Sequence, residues 1–550
     1  MSFNLAEVHE AVAAAVADRE CIVWRERRLT YTEVTDRTRR LANLLHGAGL
    51  GAHTERAQLA GHQSGQDHLG LYLYNGNEYL EGMLGSYKAR VAPFNVNYRY
   101  VEEELRYLLA DAGAKALIYH SAFAPTLAKV LDELPDLRVL LQVADGSGHD
   151  LLDGAVDYES ALAGASPEPL PPAEVAPSPD DLYILYTGGT TGMPKGVLWR
   201  QEDIFIAAMG GRAFGQTDAY QSIDQVVEAA KNGGIKMMSA APLMHGAAQW
   251  GAFTAFTGGN TVVMASHPER LDPADVLSIV EREKVLTVLI VGDAYGRPIA
   301  DELDRGDYDL SGVLAVVSGG AALGTTLKER LLEHLPNGIV LDAVGSSETG
   351  AQMGHTSTKG AVATGRFTPG VDTVVVSEDL THVLEPGHDG AGWLAQRGHV
   401  PLGYLGDADK TARTFPTIDG TRYSVPGDRA RVLEDGSLEL LGRDSVTINS
   451  GGEKIFAEEV EQAIAHHPDV YDVIVVGRPS ERWGQEVVAL VQPAAGANLA
   501  DEALLAECEK HVARYKLPKA FVYLPQLQRS PAGKADYRWA KQQALAAATR

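Results

Sequence analysis

The run Thr187-Gly-Gly-Thr-Thr-Gly-Met-Pro-Lys-Gly196 combines the residue types that hold phosphate oxygens. Gly188, Gly189 and Gly192 let backbone N–H groups turn inward, Thr187, Thr190 and Thr191 add hydroxyls, and Lys195 adds a point charge. It is not the nucleotide-triphosphatase P-loop, because Met193 and Pro194 separate Gly192 from the lysine. A flexible turn would account for the glycines but not for the company they keep. A second group of cations, Arg514, Lys516, Lys519, Arg529, Lys534, Arg538 and Lys541, faces only Asp536 in sequence. On an acidic chain that excess suits either a small polyanionic substrate or a solvated basic face.

Such chemistry needs rigid elements to carry it. Residues 182–186 read as a buried strand and a helical pattern begins near Glu202, which predicts strand, phosphate loop, helix. Six prolines between Ser166 and Pro179 mark an extended connector just upstream. Residues 274–284 read as a helix, 285–291 as a strand of parallel type, 327–335 as a helix and 339–341 as a strand, the alternation of a large α/β sheet. From 373 to 441 short runs broken by Gly and Pro predict hairpins, hence a β-rich subdomain. The last hundred residues read as a separate α+β unit: helix 455–465, strands 473–476 and 487–491, helix 502–514 and strand 521–524. The boundary is predicted at 442–444, giving regions 1–444 and 445–550. Charge follows it, since residues 445–550 hold 12 basic and 13 acidic side chains and nearly all of the net −25 lies before them.

With 550 residues, 45% hydrophobic and 22% charged, the chain is an ordinary globular protein of more than one domain. Its net charge of −25 argues against nucleic acid as a partner. Two cysteines, Cys21 and Cys508, give no disulfide framework or thiolate metal cluster. Acidic residues flank the apolar run 11–17 where an export signal would be basic, and no uncharged run reaches the roughly eighteen residues of a membrane span. A cytoplasmic location is expected.

The motifs resemble those of the adenylate-forming superfamily of acyl-CoA synthetases, adenylation domains and luciferases, and the resemblance extends over nearly the whole chain. Thr187–Gly196 resembles its phosphate signature. Ser318-Gly-Gly-Ala-Ala is similar to its turn beside nucleotide and acyl group, which implies roles for Gly319 and Gly320. Asp342-Ala-Val-Gly-Ser-Ser-Glu348 resembles its adenine segment, with Ser347 in the threonine position. There Asp342 would accept from the adenine amino group and Glu348, with Thr191, would hold Mg²⁺. Asp428 and Arg443 match its ribose-binding and hinge positions. Gly451 and Gly452 lie in a loop like that used in thioester formation, and Pro531-Ala-Gly-Lys534 resembles the segment of its catalytic lysine. His245 falls where the family borders the acyl channel.

The resemblance implies an α/β fold with a small mobile C-terminal lid. It also implies an acyl-CoA synthetase, most like actinobacterial enzymes of fatty-acid and steroid-side-chain catabolism, that uses ATP, Mg²⁺ and coenzyme A. Glu348, Lys195 and Lys534 would meet the charge that develops on phosphate. Transfer to a carrier-protein phosphopantetheine and a non-catalytic ATP-binding scaffold are the alternatives, and a homodimer is open. No acidic residue lies between Ala240 and Gly259 to pair an α-ammonium, which favours an acid without an amino group. The small residues of 246–255 fit either a wide acyl pocket or close helix packing. Three features depart from the family pattern: Val344 where an adenine-stacking aromatic is usual, Ser445 at the hinge, and a polar insertion over 53–68 with no assigned role.

Overall fold

Strands made of Val, Ile and Leu are satisfied only where both faces of a sheet are covered. The computed structural model describes residues 2–187, 193–213, 215–362, 365–443, 446–450, 453–480, 484–529 and 533–548. In it, Glu20–Trp24, Thr261–Met264, Lys236–Ser239, Thr287–Ile290, Ala315–Gly319 and Ile339–Ser346 lie side by side and parallel. Helices Pro273–Glu283, Gly292–Leu303 and Thr325–Glu333 connect the last of these strands and bury their apolar faces in one large core. The first starts where Asp272 accepts from the Asp275 N–H and Pro273 presets the backbone. The expected α/β alternation is therefore present. The amino-terminal apolar run is core helix as well: Asn4 caps Leu5–Ala15, whose Leu5, Val8 and Val12 are buried.

A second sheet sets Ala155–Asp157, Val139–Val143, Ala114–His120, His68–Tyr72, Ala92–Asn95 and Leu182–Thr187 parallel in that order. The helix expected near Glu202 is present as Gln201–Ala208, but a strand that was not expected precedes it: Lys195–Arg200 runs antiparallel to Leu182–Thr187. The cause of the strand is Val197-Leu-Trp199, an apolar triplet with a β-branched residue at one end and an aromatic one at the other, which is fully buried as a strand. Gly403–Tyr404 adds to the outer side of Lys195–Arg200. The polar insertion packs on that addition: the His62 carbonyl accepts from the Gly406 N–H at 2.9 Å, and a β-carbon on Gly61 would lie 2.6 Å from the Leu402 carbonyl oxygen.

Residues 373–443 form the expected antiparallel hairpins. The C-terminal unit pairs the long hairpin Val470–Ser480 and Gly484–Pro493 with Ala520–Tyr523 and packs helices Ala457–Ala465, Asp501–Cys508 and Tyr537–Ala548 on it. The helix expected over 502–514 stops at Cys508, followed by a 3₁₀ turn at Arg514–Lys516. Helix Tyr537–Ala548, absent from the sequence reading, covers the far face of the hairpin through Ala540 and Ala544. The chain thus has a large N-terminal and a small C-terminal domain in a mixed α/β fold; the boundary expected at 444 lies outside the described residues.

Helix Gly246–Thr257 decides between the two explanations of its small residues. Ala248, Ala252 and Ala255 are buried in the core, while Ala247, Trp250, Gly251 and Thr254 are half-buried on another face. Close packing explains the first set. Ala248→Trp should overpack the core, cost about 1–3 kcal/mol or more, and lower Tm with equal losses for all acids rather than a change of acid preference; a Tm series and an acid panel check this.

Candidate active site

Glu348 sits in the tight turn between the antiparallel strands Ile339–Ser346 and Gly350–Ser357. Ser346 Oγ accepts the Glu348 N–H at 3.2 Å, and Thr349 Oγ1 accepts the Ser346 N–H at 2.9 Å. Trp199 Nε1 donates to the Ser347 carbonyl at 2.8 Å and Ser424 Oγ to the Glu348 carbonyl at 2.6 Å, so two neighbouring segments hold the turn. Tyr404 Oη donates to Glu348 Oε1 at 2.8 Å and fixes the carboxylate. Burial, and then the Glu348 charge, push the Tyr404 phenol well above its ordinary pKa, so it remains a donor.

Asp428 and Arg443 face each other across adjacent strands, Nε to Oδ1 at 3.1 Å. Burial opposes the Arg443 charge, but Asp428 and Glu348 outweigh it and raise the pKa. Lys534 enters the same space from the C-terminal domain. Gly533 has φ +71 and lies where a β-carbon would come 2.9 Å from Ala294 Cβ, so only glycine brings the chain this close to the Gly292–Leu303 helix. Arg529 Nη1 donates to the Gly533 carbonyl at 3.1 Å, and its guanidinium is bound by both oxygens of Asp472. Lys534 is accessible within the cleft although protein surrounds it. Enclosure and Arg443 lower its pKa, while Glu348 and Asp428 oppose the drop. His245, preceding helix Gly246–Thr257, is pushed down to about 4 by burial, Lys534 and Arg99, and its buried Nε2 has no hydrogen-bond partner among the described residues.

The structure therefore brings Glu348, Asp428, Arg443, Lys534 and His245 together. Gly319 ends a strand paired with Ala343, and Gly320 follows it, one strand away from the Glu348 turn. Thr187 ends its own strand opposite Lys195. Lys195 has a partner that sequence reasoning missed: Asp111 at 3.5 Å, itself held by Tyr107 and Tyr186 at 3.2 and 2.9 Å. Burial would lower the Lys195 pKa, but Tyr107 and Asp111 raise it. Asp342 is paired: its carboxylate lies 2.5 Å from the ammonium of Lys328, which is 1% exposed. Burial still raises the Asp342 pKa against that ammonium. Val344 packs among Met353, Phe367 and Leu440. Gly188, Gly189, Thr190, Thr191, Gly192, Gly451 and Gly452 lie outside the described residues. Nothing in the local sequence marked Tyr404 or Asp111, whose partners Glu348 and Lys195 are distant in the chain; Arg529 stood out only as one of a group of cations.

The AMP-binding enzyme pattern matches residues 9–405 and the AMP-binding enzyme C-terminal domain matches 459–534. The chain belongs to the AMP-binding enzyme family. It is 61% identical over 545 residues to the medium-chain acyl-CoA ligase Mig of Mycobacterium avium, covering 99% of this chain and 98% of that protein. It is 39% identical over 552 residues to a 3-oxocholest-4-en-26-oate–CoA ligase of Rhodococcus rhodochrous, covering 99% and 96%. Among solved structures, the anthranilate CoA ligase AuaEII in complex with anthranoyl-AMP shares the fold, with a TM-score of 0.82 at 21% identity over 100% of this chain and 98% of that one. This AMP-binding enzyme is an AMP-forming acyl-CoA synthetase, as the motifs implied, and its substrates are ATP, CoA and a carboxylic acid. No helix among the described residues is long and apolar enough to cross a membrane.

The donor chemistry of this AMP-binding enzyme fits a magnesium ion. Glu348 offers a hard carboxylate whose orientation Tyr404 sets through one oxygen, and Mg²⁺ takes few protein ligands beside substrate phosphate and water. Tyr404→Phe should lower kcat about 10-fold or more, since a hydrogen bond to a charged group contributes about 1.5–3 kcal/mol; steady-state kinetics with Tm as the folding control measures it. His9, His120 and His245 are held near 3, 4 and 4 against an ordinary 6.5. All three stay neutral when folded, so the unfolded chain binds more protons and stability falls as pH drops from about 6.5 toward 4. His245→Gln should flatten part of that slope in Tm measured against pH.

Proposed function

We propose that the cleft joins a carboxylic acid to the α-phosphate of ATP and that the C-terminal domain, residues 445–550 against 1–444, acts as a mobile lid that serves the two half-reactions in turn. The observation that carries the reading is the meeting of Lys534, from the small domain, with Glu348, Asp428 and Arg443, from the large one. A carboxylate is a poor electrophile. Its oxygen attacks the α-phosphorus, the bond to pyrophosphate breaks, and the mixed anhydride then yields to the CoA thiol with AMP as leaving group. Lys534 meets charge on the α-phosphate, Asp428 accepts from ribose hydroxyls, Arg443 fixes Asp428, and Lys195 exchanges Asp111 for the departing pyrophosphate. Glu348, with Thr191, would hold Mg²⁺, which when bound neutralises phosphate charge. Gly188, Gly189, Thr190 and Gly192 cradle phosphate oxygens, Gly319 and Gly320 line the nucleotide, and Gly451 and Gly452 border the thiol path. Lys534 and its neighbours argue against a mere scaffold, and CoA rather than a carrier protein is the acceptor by analogy with relatives named as CoA ligases.

The acid is proposed to be a medium-chain or bulkier one, without an amino group, running past the neutral His245 along the half-buried face Ala247, Trp250, Gly251 and Thr254. A cytoplasmic location follows from the intracellular supply of ATP and CoA. A homodimer is compatible with this reading.

CoA-dependent AMP formation across short, medium, long-chain and steroid acids tests the acid, and preference for the short acids would overturn it. Lys534→Ala tests the lid. Pyrophosphate release from acid should fall about 10²–10³-fold while thioester formation from synthetic acyl-adenylate survives. Equal loss of both would mean a single shared arrangement.

A further inference from the structure

We propose that Glu458 is the latch that holds the C-terminal domain in the arrangement that brings Lys534 into the cleft, by gripping the end of the large domain's last strand across Gly442. This rests on the reading of the small domain as a lid. Glu458 stands in the first turn of helix Ala457–Ala465. Its Oε1 accepts the backbone N–H of Arg443 at 3.4 Å, the residue whose side chain holds Asp428. Its Oε2 is buried with no hydrogen-bond partner among the described residues. Gly442 has φ +114, and a β-carbon there would collide with Oε2, so the contact exists only because that position has no side chain.

A buried oxygen without a donor cannot keep a full charge cheaply. Burial and Asp428 push Glu458 up, to about 7, against the pull of its own N–H, the Arg443 N–H and the Arg443 guanidinium. Glu461, one turn on, is buried too and accepts from the Val475 N–H and the Tyr537 hydroxyl, with Arg529 near it. The latch is thus a buried carboxyl that reaches the other domain by one long hydrogen bond, strong enough to bias the position of a domain and weak enough to release it. Through Arg443 the same contact reaches the Asp428 pair, so domain position and ribose site share one backbone segment. Glu458 touches no reacting atom; it is a positioning residue.

Both half-reactions, pyrophosphate release from acid plus ATP and acyl-CoA formation from synthetic acyl-adenylate, would be followed in the full-length enzyme for Glu458→Ala, Glu458→Gln and Lys534→Ala. Glu458→Ala should slow the first about 10-fold, as expected for one lost hydrogen bond in a domain equilibrium, and leave the second unchanged or faster. Glu458→Gln keeps an uncharged acceptor of the same shape and should remain within about twofold of the parent in both. If Glu458→Ala does not fold by Tm, Gly442→Ala presses on the same contact from the other domain and should give the same split. Equal loss in both half-reactions, or a glutamine variant as impaired as the alanine one, overturns the latch. A split for Lys534→Ala without one for Glu458→Ala removes the latch and keeps the lid; no split for Lys534→Ala removes the lid and the latch with it.

Discussion

Two cations and two carboxylates share one cleft, each kind lying against the other. Lys534 and Arg443 repel each other in a space enclosed by protein, where Glu348 and Asp428 offset the cost of removing them from water and Glu458 adds to this at Arg443. The structure around them can be understood as the means of holding four such groups in place. Glu348 is fixed by a turn that Trp199, Ser424 and Tyr404 hold from three other segments, and Asp428 and Arg443 by register across neighbouring strands. The fourth charge comes from a separate domain, so the balance is complete only when that domain is docked.

Docking depends on small residues at close approaches. Gly533 lets the lysine's segment lie against Ala294, and Gly442 gives Glu458 its place. Arg297 also stacks on the Tyr471 ring, 4.7 Å away, across the same junction. These contacts are partly polar, unlike the apolar packing inside either domain.

Much of this was legible in the sequence. The α/β alternation from 273 to 346 followed from strands too apolar for one-sided burial, and the charged residues of the cleft were singled out by their motifs. Two kinds of information were not local. The strand Lys195–Arg200 was hidden because its apolar triplet is short and sits between a glycine run and a helix, where only pairing with Leu182–Thr187 decides its form. Partners distant in sequence were hidden too: Asp111 lies 84 positions before Lys195, and Tyr404 reaches Glu348 from 56 positions away. Small residues on helix Gly246–Thr257 have two meanings, and only burial tells that Ala248 belongs to the core while Gly251 is half-buried on another face.

The insertion over 53–68 has a consequence for the far side of this arrangement. His62 and Gly61 seat against Leu402–Gly406, the segment that presents Tyr404, while Gln66 ties the same strap to strand Leu182–Thr187 by accepting from the Leu182 N–H at 2.6 Å. The strap is anchored at one end to the strand that leads into the phosphate loop and at the other to the segment that orients Glu348. One short polar stretch of chain thus joins strand Leu182–Thr187 to the segment that presents Tyr404 to Glu348.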